Sequence, residues 1–286
     1  MKPAPREKPS VGLAYSSTVL RFAEANREEV DYLEVPFELL RHAPDTIEHI
    51  DFPILLHCAS LSLAGSVACS EQTLSQIAYW IAKTRTPWLG EHLAYITSKR
   101  TEAGPIPEEY APGEPYNIGY TVGPVMNEAA VERIAKSIER YGGRLQTPLL
   151  IENSPIYFES PGSTLSQSKF IAAISERIDV GLLLDLSHFY LSSRLIGYDP
   201  LVELEELPLS KVVEVHLSGI DERADGSWDD HSCAAPKLVH EMLAHLLKIA
   251  RPRAVTLEYN WSSRFPHSLL KDELQRVRAL LQETNA

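Results

Sequence analysis

The chain has 286 residues, with 39 acidic and 27 basic side chains and a formal net charge of −12. That balance argues against non-specific binding to nucleic acid or to an anionic membrane surface, both of which need a basic face. The length suits one α/β barrel, and apolar and charged fractions of 44% and 23% place the chain in the ordinary globular class. Three cysteines, Cys58, Cys69 and Cys233, with no CxxC spacing indicate neither a disulfide framework nor a zinc ribbon. No apolar run approaches a membrane span, and none follows the MKPAPREKPS start as a signal peptide would require. A cytoplasmic location is expected.

Residues 1–10, rich in Pro, are expected to form a disordered tail, and residues 11–286 a single domain. VGLAY (11–15) reads as a first strand and 18–29 as a helix by the spacing of its apolar residues. YLEVP (32–36) is a second strand, a short helix follows, and PILLHCA (53–59) is a third strand. Ser70 is placed to cap a helix over 70–84, and WLGEHLAYI (88–96) is the fourth strand. The stretch 97–123 holds several Pro and Gly residues and no period, so it reads as a long excursion after strand four. Asn127 and Gly142 bracket a helix over 127–142. Strands TPLLIENS (147–154), VGLLLDLSH (180–188), KVVEVHLSG (211–219) and RAVTLEYN (253–260) complete eight, with helices over 164–177, 199–206, 236–250 and 267–284. Near-continuous apolar strands alternating with amphipathic helices predict a parallel sheet covered by helices, and eight such units predict closure into a single (β/α)8 barrel of the TIM type. No GxGxxG or GxxxxGK[ST] segment follows any strand, which argues against a dinucleotide or P-loop protein.

The apolar runs end on polar groups: Glu34, His57, Glu91 and His92, Glu152 and Asn153, Asp185, His216 and Glu258. In a parallel barrel the strand C-termini converge on one axis, so these residues form one candidate site. With His188 and the loop pair Asp229 and His231, the set His57, His92, Glu152, Asp185, His188, His216, Asp229, His231 and Glu258 offers imidazole nitrogen and carboxylate oxygen without thiolate. Such donors suit iron, manganese or zinc, and they exceed what one ion can use, so a cluster of two or three ions is expected. Gathered acids would otherwise raise one another's pKa by repulsion, which cations offset. Alternation along a strand puts Glu91 opposite His92 and Asn153 opposite Glu152. Cys58 reads as a small buried thiol, the helical His42, His49, His240, His245 and His267 as surface or packing residues, and Tyr95, Tyr157, Tyr190 and Tyr259 as packing.

The ordered series HCASLSL, EHLAY, IENS, LLLDLSHFYLS, EVHLSG, DDH and LEYN resembles the multinuclear non-haem iron-dependent oxidative enzymes, barrel proteins that modify ribosomally made peptides. The resemblance runs from EVPFE to LEYN. It implies two or three iron ions in mixed Fe(II)/Fe(III) valence, with dioxygen as co-substrate. The implied ligands are His57, His92, Glu152, Asp185, His188, His216, Asp229, His231 and Glu258. Asp185, His188 and Glu91 are the expected catalytic groups, and Glu34, Glu38, Glu91 and Asn153 are expected to orient the ligands. The expected reaction oxidises a residue, Cys or else Asp or Asn, in a precursor peptide that a separate recognition protein presents. Related barrels supply two alternatives: a divalent-metal sugar isomerase or endonuclease-IV-like hydrolase, and a metal-binding protein without turnover.

Overall fold

The computed structural model describes residues 9–99, 113–223, 226–259 and 266–283. In chain order the elements are β1 (Ser10–Ala14), α1 (Ser17–Ala25), β2 (Tyr32–Pro36), α2 (Phe37–His42), β3 (Ile54–Cys58), α3 (Glu71–Thr84) and β4 (Leu89–His92). There follow β5 (Tyr95–Lys99), β6 (Pro115–Val122), α4 (Glu128–Leu145), β7 (Leu149–Glu152), α5 (Gln167–Arg177), β8 (Gly181–Asp185), α6 (Leu186–Ile196) and α7 (Pro200–Leu204). The last are β9 (Val212–Ser218), β10 (Asp221–Arg223), β11 (Gly226–Trp228), α8 (Lys237–Ile249), β12 (Ala254–Glu258) and α9 (His267–Glu283). Eight parallel strands close in the order β1, β12, β9, β8, β7, β4, β3, β2, as the alternating pattern predicts.

Local chemistry sets the helix starts. Ser70 Oγ accepts from the Thr73 N–H at 3.1 Å and Asn127 Oδ1 from the Ala130 N–H at 3.0 Å, each capping an orphan donor of the first turn. The outward faces of the strands and the inward faces of the helices form one continuous apolar layer that includes Leu13, Val35, Leu56, Leu184, Val215 and Leu257. Inside the barrel the residues fall in layers two apart along each strand. Tyr32, Leu55, Trp88, Leu150, Leu183 and Ala254 plug the N-terminal end. Glu214, in register with Leu183 and Ala254, accepts from the Trp88 indole at 2.6 Å and from the Thr256 hydroxyl at 2.7 Å. The donor residues crown the C-terminal end.

Several features differ from the sequence reading, among them the helix expected to stop at Gly142, which runs on through it to Leu145. The strand expected over 88–96 leaves the barrel after His92, and its tail starts an antiparallel ribbon of β5 with β6 in the region read as irregular. β6, PYNIGYTV, finds its partner some twenty residues upstream, a pairing that local periodicity does not register. The strand expected over 180–188 stops at Asp185, because that carboxylate caps a helix: Oδ1 accepts from the His188 N–H at 2.6 Å and α6 begins. A small ribbon of β10 with β11 also escaped notice. The helix over 199–206 shortens to α7, and Ser10, assigned to the tail, opens β1; residues 1–8 lie outside the described residues.

Candidate metal centre

Strand register aligns the crown. Pro36 pairs with His57, His57 with Gly90, His92 with Glu152, Asp185 with His216, and Ser218 with Glu258. Adjacent ends therefore bring Glu34, His57, His92, Glu152, Asp185, His216 and Glu258 around one axis. Gly90 leaves room for this: a Cβ there would lie 2.9 Å from Leu183 Cδ1 and 3.0 Å from the His57 ring. Two further donors arrive on the loop after β11. That loop passes against Gly219, just after β9, where a Cβ would clash with the Cys233 backbone carbonyl, so only glycine allows the approach. His231 itself adopts a left-handed φ of 58°, a conformation uncommon for a residue with a side chain.

The donors fall into overlapping groups whose ligand atoms lie within 4.8 Å of one another: Glu34, His57 and His216; His57, His92 and Glu152; Glu152, Asp185, His216 and Glu258; and His188, Asp229 and His231. Glu152 joins two of them. Its Oε2 is 2.8 Å from both His57 Nε2 and His92 Nδ1, and its Oε1 is 3.5 Å from His216 Nδ1. His216 Nδ1 is also 3.5 Å from Glu258, while its Nε2 is 3.0 Å from Glu34 Oε2 and 3.7 Å from Glu214. In the outer group Asp229 Oδ2 lies 2.8 Å from His188 Nε2, and Oδ1 lies 2.9 Å from His231 Nε2.

The residues present fit cations. Glu152 Oε1, Asp185 Oδ2 and His216 Nδ1 are buried and have no hydrogen-bond partner, and His92 Nδ1 and Asp229 Oδ1, though 2.8 and 2.9 Å from Glu152 and His231, are buried without a partner in hydrogen-bond geometry. Buried polar atoms are ordinarily paired, and five orphans from five residues around one axis fit bound ions. Electrostatics agrees. Burial opposes charge on His57, but the Glu152 carboxylate outweighs it and lifts the imidazole to about 10. Glu152 is held well below the usual carboxylate range, because His92 and His57 overcome its burial. Asp185, by contrast, is pushed up to about 6 by burial, only partly countered by His188. Protons on imidazoles thus do in part what metal charge would do.

The other expected site residues divide. Asn153 clamps Asp185 through both backbone groups, Nδ2 to the carbonyl at 2.8 Å and Oδ1 from the N–H at 2.9 Å. Its own carbonyl oxygen lies 3.0 Å from His188 Nδ1. Of the three expected catalytic groups, Asp185 and His188 reach the donors, whereas Glu91 lies on the opposite face of β4 from His92, as the pleat requires. There Glu91 Oε2 accepts from the Leu61 N–H at 3.2 Å, and burial with the neighbouring Glu38 keeps its acid well above the usual range. Glu38 accepts from the Ser60 hydroxyl at 2.6 Å and the Ala59 N–H at 3.0 Å, so it braces the chain after β3 and touches no donor histidine. Cys58 is fully buried, and burial raises its thiol well above the ordinary value. The helical His240 is tied to Glu273 at 3.0 Å, a packing role as expected. Tyr157, read as packing, is 39% exposed and stands at the mouth.

The sequence reading missed Glu214, Ser154 and Gln167. Glu214 and Ser154 each stand two residues from a recognised donor on the same strand end, a parity signal that was there to use. Gln167 comes from α5 and carried none.

A cavity of about 650 Å³ opens at the crown. His92, His188, Asp229, His231 and Glu258 face it from below, and Leu93, Met126, Ile156, Tyr157, Phe158 and Phe170 are among its apolar walls. Residues Tyr120 to Pro124, from the end of β6, form one side.

The model for the RiPP precursor modification enzymes MbnB/TglH/ChrH matches residues 10–282. The chain belongs to this family. Its curated relatives include a UPF0276 protein of Paraburkholderia phytofirmans, 29% identical over 75% of this chain and 66% of the relative, so the chain spans just under two thirds of that protein. A UPF0276 protein of Rhizobium meliloti is 27% identical over 84% of this chain and 74% of its own. Among solved structures, the D-allulose 3-epimerase of a Methylomonas species aligns with a TM-score of 0.58 at 11% identity, covering 98% of both chains. Endonuclease IV of Thermus thermophilus aligns with a TM-score of 0.57 at 16% identity, covering 96% of this chain and 100% of its own. At such identities these likenesses establish the (β/α)8 fold alone. No described helix is long and apolar enough to cross a membrane.

Proposed function

We propose that this family member uses two or three iron ions and dioxygen to oxidise one residue, Cys or else Asp or Asn, in a precursor peptide, which a separate recognition protein presents. The observation that carries the reading is the set of orphaned donor atoms at the crown, open through one cavity to a peptide-sized space. Two histidines and a carboxylate, His188, Asp229 and His231, face that cavity, a donor set suited to iron with open coordination. Bound there, iron would supply dioxygen binding and one-electron chemistry, which no protein side chain here provides.

The chain's own residues set the tautomers. Glu34 takes the Nε2–H of His216 and turns the Nδ1 lone pair toward Glu152 and Glu258. The Asn153 carbonyl takes the Nδ1–H of His188, leaving Nε2 for the outer group. Asp185 divides its oxygens, Oδ1 capping α6 and Oδ2 free for a cation. Apolar walls around the mouth exclude water from the reacting residue. Protein purified without oxygen, analysed for iron, zinc and manganese per chain and by Mössbauer spectroscopy, tests the reading. Two or three coupled irons with peptide-dependent oxygen uptake are expected; a single zinc or manganese with no oxygen uptake would move the assignment to the isomerase or hydrolase class.

A further inference from the structure

Two polar groups in the cavity wall have nothing to bond. Ser154 is 8% exposed and Gln167 is 6% exposed, both line the cavity, and Ser154 Oγ and Gln167 Oε1 have no hydrogen-bond partner. The amide orientation of Gln167 is fixed, because its Nε2 donates to the Ser154 carbonyl oxygen at 2.7 Å. A flipped amide would set two oxygens against each other, so the free atom is the acceptor. The pair therefore offers one acceptor and one hydroxyl, the complement of a peptide group with its N–H and C=O. Around them stand Met126, Ile156 and Phe170, with Tyr157 and Phe158 at the rim, and among the described residues no Lys or Arg lines the cavity. Ser154 lies two residues beyond Glu152, at most about 7 Å of chain, so the pair adjoins the donors.

We propose that Ser154 and Gln167 form a subsite that grips the peptide group next to the residue being modified, with Gln167 Oε1 accepting its N–H and the Ser154 hydroxyl donating to a carbonyl. The side chain of that flanking residue is bulky and apolar and packs against Met126, Ile156 and Phe170. This rests on the peptide-oxidising reading, which names the substrate but not the contacts that select it.

The test uses metal-loaded protein without oxygen, so that binding is read without turnover. The probes are three fluorescein-labelled heptapeptides with a central Cys: one followed by Leu, one followed by Asp, and the Leu peptide with an ester replacing the amide after Cys. Anisotropy should show the Leu peptide binding at least tenfold tighter than the Asp peptide, and the ester about fivefold to tenfold weaker, the effect of one lost neutral hydrogen bond. In Gln167→Leu the Leu peptide should weaken by the same factor and the ester should cause no further loss. Ser154→Ala should also weaken it, and metal content should match wild type in both variants. Wild-type protein that binds no probe, variants that bind as wild type does, or an ester penalty that persists in Gln167→Leu would each overturn the subsite. Iron and oxygen uptake are read separately on the same preparations. Preserved discrimination without iron would sink the oxidative reading and leave the subsite standing, and oxidation without discrimination would do the reverse.

Discussion

His216 stands among four carboxylates, with Glu34 and Glu214 on its Nε2 side and Glu152 and Glu258 on its Nδ1 side. Only the contact to Glu34 meets hydrogen-bond geometry, at 3.0 Å, so Glu34 decides which nitrogen keeps its proton. Glu34→Gln can still bond to that imidazole but no longer stabilises the same tautomer through charge. Its metal affinity should fall about 10–100-fold, as for other groups that orient ligands, with the circular dichroism spectrum unchanged; competition against a chelator measures it, and unaltered affinity would reassign Glu34 to packing. The same carboxylates set a pH dependence. In protein stripped of metal, burial pushes Asp185 up to about 6 and Glu34 up to about 7. These folded-state values exceed those of an unfolded chain, about 4, so the folded protein retains protons that the unfolded chain has released. The stability they contribute is complete below about pH 4 and is lost as pH rises through 6 to 7. His57, held near 10 by Glu152 against its burial, adds a second loss as pH climbs from about 6.5 to 10. Thermal midpoints of stripped protein should therefore decline from pH 5 to 9, less steeply once metal is loaded; a rising midpoint over that range would contradict the assignment.

Two elements outside the barrel wall complete the mouth. The loop after β11 carries Asp229 and His231, and the contact of Gly219 with the Cys233 backbone fixes its path. Gly219→Ala should displace that loop and cost the outer metal position at least about tenfold in affinity, while the deeper donors keep theirs. Metal titration followed by Mössbauer spectroscopy would show one site lost, and full occupancy would mean the loop tolerates the shift. Among the described residues, the β5 and β6 ribbon and the two residues after it supply Tyr120 to Pro124 to the cavity and no donor atom. Shortening 97–123 should therefore raise KM for the peptide several-fold with metal content unchanged; equal KM would remove this ribbon from substrate binding.

Across the whole molecule, stability and function occupy different layers. The apolar shell between strands and helices is buried throughout, whereas the crown concentrates charge at the strand ends. Leu257→Ala, in that shell at 0% exposure, should destabilise by about 2–5 kcal/mol, read from denaturant unfolding, with metal binding kept in the folded fraction. His216→Ala should do the opposite, emptying the centre while the barrel still folds cooperatively, and global unfolding of His216→Ala would favour a structural role. Added metal should raise the midpoint of wild type by mass action, about 2.7 kcal/mol at a hundredfold excess over Kd.

The sequence by itself determined the eight barrel strands, their parallel closure and which polar residues gather at the strand ends. Those properties follow from short-range rules: apolar runs of strand length, helix caps, and side chains that alternate along a strand. His57, His92, Glu152, Asp185, His216 and Glu258 were legible because each ends an apolar run, and the separation of Glu91 from His92 followed from the pleat. What tertiary structure alone decided was pairing across the chain. Asp185 could be read as a strand end, but not as the cap that starts α6, because one carboxylate serves both and the balance depends on the donors beside it. Glu214 hid within an apolar strand, and Gln167 lies on a helix whose approach to β7 no local pattern encodes. β6 waited for β5, and the loop bearing Asp229 and His231 waited for Gly219. In each case the deciding contact joins residues far apart in the chain, and its geometry exists only once the barrel has closed.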